Sequence, residues 1–243
     1  MGSQLLGMAF EQCSVLLRTP EVGTWPSDFH LTPGAVPILF GLLLAPTAAA
    51  RAAAARIIAD ARMSRECAAA LCEAGFLPPL LGMLSTGAEA EATLHSLRCL
   101  TCIAMHMPSA MCEVDGACAA LMQVLRPRSS SSAVKTLVAC IMRDLALHDS
   151  DSVVEAGAAP ALARLLCSSH EVSIACAARA LLILSRKHSR EVLTAISALR
   201  LPELRRRRQL VPAAIRAIAD VSETAWVSAG RASGSGTGAS VEC

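Results

Sequence analysis

Few side chains in this sequence stand at spacings that suggest chemistry, and each set has a plainer structural reading beside it. Cys99-x-x-Cys102 has the spacing of a redox pair or half a zinc site. No second CxxC or His pair accompanies it, and it falls inside a predicted helix, Leu94 to Met105, where core packing explains Cys99 better. His106, His148 and His188 recur near the ends of successive helical segments. Packed helices lie ~10 Å apart, whereas each zinc ligand must approach to ~2 Å, so the three cannot share a metal. A cation-friendly helix C-terminus accounts for them. Arg205-Arg206-Arg207-Arg208 is either a localisation signal or phosphate-binding patch, or a solvated helix end. Gly234-Ser-Gly236-Thr-Gly238 lacks the Gly-Lys-Ser/Thr of a phosphate loop, and neither Gly-x-Ser-x-Gly nor His-Glu-x-x-His occurs. The expectation is a chain with no catalytic residues, no metal, no cofactor and no small-molecule substrate.

The elements that position these residues follow from composition. Hydrophobic residues make up 53% of the 243 positions but aromatic residues only 2%, a balance that favours Ala- and Leu-rich helix over strand. A formal net charge of +2 is too small to make the whole molecule a polyanion binder. With no Tyr, the stacking platform for single-stranded nucleic acid is absent, so nucleic acid is not the expected partner. The longest apolar run, Ala35 to Ala45, falls well short of the ~20 residues of a spanning helix and is interrupted by Pro37. The N-terminus lacks the basic start of a secretory signal, and eleven scattered cysteines read as reduced, buried thiols. The expected location is the cytoplasm or nucleus.

Sliding the chain on itself reveals a period of 41 residues. Gly34-Ala-Val-Pro37-Ile-Leu-Phe aligns with Gly75-Phe-Leu-Pro78-Pro-Leu-Leu, Gly116-Ala-Cys-Ala119-Ala-Leu-Met and Gly157-Ala-Ala-Pro160-Ala-Leu-Ala. Gly ends one helix in the left-handed conformation, and Pro three residues on suits the first turn of the next. Apolar residues then recur at i, i+3, i+4: Leu39, Leu42, Leu43; Leu80, Met83, Leu84; Leu121, Val124, Leu125; Leu162, Leu165, Leu166. All twelve are expected to form one buried stripe. A polar or small-residue break, a longer helix and a short acidic helix complete each unit.

This three-helix unit resembles the armadillo repeat, whose phrases appear here as Gly-x-x-Pro-x-Leu-x-x-Leu-Leu and the segment ending Glu-Ala-Gly. The resemblance covers residues 34 to 229 and implies an all-α, right-handed superhelical solenoid of about five repeats. A HEAT-like α-solenoid is the structural alternative. The units run 34–74, 75–115, 116–156, 157–197 and a degenerate 198–229. Residues 1–33 would hold a cap helix over Gly7 to Arg18 and an irregular connection, and 230–243 a flexible Gly/Ser-rich tail.

The resemblance also implies where partners bind. In importin-alpha-like members the third helices line a concave groove, with a Trp and, four residues on, an Asn that hold an extended peptide. Here the Trp position becomes Arg56, Arg98, Cys140, Arg179 and Arg216, and the Asn position Asp60, Cys102, Asp144, Ile183 and Asp220. With every Trp and Asn replaced, capture of Lys-rich import signals is not expected, because Arg repels Lys. Two readings of the Arg column stand. Arg56 with Asp60 and Arg216 with Asp220 are i, i+4 pairs on a solvated face, or the column grips an acidic or phosphorylated extended segment. The expected function is therefore a non-catalytic adaptor or scaffold that binds protein partners. The alternative is a structural subunit of a cytoskeletal or membrane-peripheral assembly.

Overall fold

A computed structural model describes residues 35–199, apart from 62, 86–89, 126–130 and 169. The proposed cap helix, Gly34, nearly all of the fifth repeat and the tail lie outside the described residues. Those described form twelve helices and no strand. They divide into two compact units, one ending at Val114 and one starting at Asp115.

The first unit contains α1 (Ala35–Leu43), α2 (Ala48–Asp60), α3 (Arg65–Glu73), α4 (Leu77–Ser85), α5 (Ala90–His106) and α6 (Pro108–Cys112). The second contains α7 (Ala117–Val124), α8 (Ser132–His148), α9 (Ser150–Glu155), α10 (Ala158–Leu165), α11 (Glu171–Ser185) and α12 (Ser189–Ser197). Two helices of five to nine residues alternate with one long helix; α3, α6, α9 and α12, which precede each left-handed turn or follow the last long helix, are here called the short ones, and their counterparts the middle ones. In the first unit α2 packs on α5, and in the second α8 packs on α11, so long helices pair with long helices.

The turn from short to middle helix is where the sequence is most demanding. Gly75, Gly116 and Gly157 have φ of +82°, +76° and +74°, the left-handed region that costs an L-residue ~1–2 kcal/mol. At Gly75 the Gly75 amide donates to Cys72 O (3.0 Å) and the Phe76 amide to Leu71 O (3.1 Å), closing a Schellman turn. Leu71 and Phe76, the apolar pair that accompanies such a turn, are both fully buried. The helix axes bend by 84° there, and Phe76 meets Phe40 of α1 with ring centroids 5.2 Å apart.

The bend aims the leucine stripe inward. Eleven of the twelve stripe positions are buried. The exception to the continuous stripe is Val124, the last residue of α7, which is partly exposed. Buried hydroxyls are satisfied: Ser96 Oγ donates to Met83 Sδ (3.3 Å) and Ser185 Oγ to Leu182 O (2.8 Å). Side chains also cap the helices. Ser64 accepts from the Cys67 amide, Ser131 from the Val134 amide, and Asp149 from the Asp151 and Ser152 amides. The Ser152 hydroxyl also donates to Asp149, and this bond, ahead of the amides, holds the Asp149 carboxyl below its ordinary value.

Leu166→Ala should cost ~2–5 kcal/mol in urea unfolding, because Leu166 is 1% exposed and its removal leaves a cavity. Gly116→Ala should cost ~1–2 kcal/mol although nothing stands within 4 Å of an added Cβ, so the loss reports backbone conformation alone. Asp149→Ala should cost ~0.5–2 kcal/mol at pH 7. Because the folded carboxyl is depressed, its contribution is complete above the unfolded value of ~3.9 and is lost as pH falls through the folded value. Unfolding curves of wild type and variant should therefore converge in strong acid.

Candidate functional site

The long helices carry the candidate groove residues on the flank their core positions leave free. In the first unit, Ala54, Ala55, Ile57 and Ile58 of α2 and Leu97, Cys99 and Leu100 of α5 are buried. Arg56, Asp60, Arg98 and Cys102, interleaved with them, remain partly exposed.

Asp60 pairs across helices. Arg98 Nη2 stands 2.9 Å from Asp60 Oδ1, with the two side chains 42% and 25% exposed. The expected i, i+4 pair between Arg56 and Asp60 is thus replaced by a bridge between successive repeats. Packing of α2 on α5 brings the Arg98 guanidinium onto the carboxylate, while Arg56 Nε is buried without a hydrogen-bond partner among the described residues. Cys99 is fully buried and its thiol meets Ala55 O at 3.0 Å. Burial raises both the Cys99 and Cys102 thiols, while Arg98 opposes the shift, so neither is a thiolate at neutral pH. Among the described residues no three His, Cys, Asp or Glu side chains cluster as metal ligands do.

In the second unit the same helix pairing brings different side chains together. Thr136 of α8 meets Ser173 of α11 through their hydroxyls, and one turn on Cys140 and Cys176 have sulfurs 3.2 Å apart. That register leads next to Asp144 and Arg179. Asp144 is instead gripped by its neighbour: Arg143 Nε and Nη2 donate to its two oxygens at 2.8 and 3.0 Å. This bidentate pair leaves Arg179 exposed and without an ion pair among the described residues. Ile183, at the next groove position, is partly exposed.

His106 and His148 end α5 and α8, whereas His188 lies beyond α11 and stands 2.8 Å from Asp151 Oδ1, alongside the Lys187–Asp151 pair. Arg205 to Arg208, Arg216 and Asp220 lie outside the described residues. No single helix among the described residues is long and apolar enough to cross a membrane.

Similarity to known proteins lies in the structure rather than the sequence: no protein-family model matches, nor does any curated protein. An engineered protein superposes with a TM-score of 0.66 at 22% identity, over 80% of this chain and 81% of its own. A designed armadillo repeat protein in complex with the peptide (KR)4 gives 0.66 at 22%, over 79% and 82%. Computationally designed armadillo repeat proteins for modular peptide recognition give 0.58 at 22%, over 81% and 82%. The fold is that of the armadillo repeat. Within it, the short helix completing each unit is the element a two-helix alternative lacks.

Sequence reasoning passed over Arg143 and Cys176. An Arg–Asp pair at i, i+1 normally diverges around a helix, and Cys176 finds Cys140 only through the packing of α8 on α11. A double-mutant cycle on Arg98 and Asp60, measured by denaturant unfolding, should give a coupling of only ~0.2–1 kcal/mol that shrinks with added salt, since both groups are partly exposed.

Proposed function

We propose that this armadillo array is a non-catalytic binding protein that holds an extended, acidic or phosphorylated segment of a protein partner against its long helices. The observation that carries this reading is Arg179, exposed and unpaired among the described residues because Arg143 has taken the neighbouring carboxylate. In the first unit, taken by itself, the equivalent positions hold Arg56 and the half-exposed Arg98, the latter already bridged to Asp60. A planar guanidinium suits bidentate capture of carboxylate or phosphate.

The fold supports a peptide ligand: one structure it matches holds the peptide (KR)4, and others are described as made for modular peptide recognition. The charge at the groove positions argues for the opposite ligand here. Arg stands at Arg56, Arg98 and Arg179, positions where a basic peptide would meet like charge. Exposed Met105 and Leu147, each just before the last residue of a long helix, favour a second reading in which the array docks as a structural subunit.

Fluorescence anisotropy with acidic, phosphorylated and Lys-Arg peptides separates these readings. Acidic or phosphorylated peptides should bind, and Arg179→Glu should weaken them about tenfold, ~1.4 kcal/mol, with an unchanged melting temperature. Added salt should weaken binding in parallel. Arg143→Ala should also weaken it, since the freed Asp144 can then neutralise Arg179. Equal binding by wild type and Arg179→Glu, or preference for the basic peptide, would refute the proposal.

A further inference from the structure

In the second unit two thiols from successive repeats face each other. Cys140, midway along α8, and Cys176, in the first half of α11, have sulfurs 3.2 Å apart and are not joined. The approach is built into the helix packing, because one turn earlier Thr136 and Ser173 meet in the same register. A disulfide requires ~2.05 Å between sulfurs, so closure needs a movement of about 1 Å, within reach of small side-chain rotations. Cys140 is partly exposed and Cys176 is 7% exposed, so an oxidant reaches Cys140 first and Cys176 is placed to resolve the product.

We infer that Cys140 and Cys176 form an oxidisable pair whose reversible disulfide staples the long helices of two successive repeats. This inference stands apart from the peptide-binding reading. The oxidant is a low-molecular-weight disulfide of the glutathione type. The Cys140 thiolate attacks one of its sulfurs, breaking that S–S bond and expelling one thiolate. The Cys176 thiolate then attacks the Cys140 sulfur and expels the second. The protein loses two electrons and two protons, and the oxidant leaves as two thiols.

The surroundings set the rate. Burial, then the bond to Cys176, push the Cys140 thiol up to about 12. Little thiolate is present at neutral pH, and the rate should rise about tenfold per pH unit below that value. Arg143 Nη1 stands 3.8 Å from the Cys176 sulfur. Cys99 has no such opening, since it is fully buried with its thiol on Ala55 O.

Incubation of the reduced full chain with excess glutathione disulfide, alkylation of residual thiols and tryptic digestion without reductant test the proposal. The expected product joins the peptide spanning Thr136 to Arg143 with that spanning Leu165 to Arg179, and dithiothreitol releases it. Its yield at early times should rise with pH, and the oxidised protein should melt several degrees above the reduced one. Cys167 shares the second peptide, so the link must persist in Cys167→Ser and vanish in Cys140→Ser. Cys140 is only partly buried, so Cys140→Ser should fold even if Cys176→Ser does not. Loss of the link in Cys167→Ser would overturn the assignment, as would glutathione left unresolved on Cys140.

Discussion

The architecture depends on a backbone reversal that only a residue without a Cβ makes cheaply. At Gly75, Gly116 and Gly157 the chain passes through the left-handed region between a short helix and a middle helix. Were it to continue in the right-handed region at Gly75, α3 and α4 would merge into one apolar rod, long enough in composition to pass for a spanning segment. The 84° bend instead turns the middle helix so that Leu80, Met83 and Leu84 face the same interior as Leu71 and Phe76. The turn recurs every 41 residues, and within each unit the long helices pack on one another, α2 on α5 and α8 on α11.

Once long helices pack on one another, their register decides which side chains meet. Asp60 reaches Arg98 in the first unit. In the second, Thr136 reaches Ser173 and Cys140 reaches Cys176. The geometry is shared but the chemistry differs, since the side chains that meet across the helices are charged in one unit and hydroxyls and thiols in the other. Competition within a helix adds a further decision. Arg143 takes both oxygens of Asp144, and Arg179 on α11 has no ion pair among the described residues. A single residue outside the repeat pattern thereby sets the electrostatic character of that face.

Burial governs the cysteines in the same way. Desolvation raises the thiols of Cys67, Cys72, Cys99 and Cys102 above their ordinary value, which disfavours both thiolate chemistry and metal capture there. The thiol pairing that matters is the one brought together across helices, rather than the CxxC along one helix.

Helix content, repeat length, the three left-handed glycines and eleven of the twelve stripe positions were legible in the residues alone. Each rests on local physics: apolar periodicity marks a buried face, and only glycine reverses a helix without strain. The alignment of groove positions was legible too, as a column of Arg and Asp. Which of those charges pair was not. Asp60 chooses Arg98 over Arg56, and Asp144 chooses Arg143 over Arg179, because ion pairing depends on ångström-scale separations across packed helices. The Cys140–Cys176 contact has the same origin. Spacing along the sequence orders side chains on one helix, but the helix beside it, and the register at which it packs, decides which of them touch.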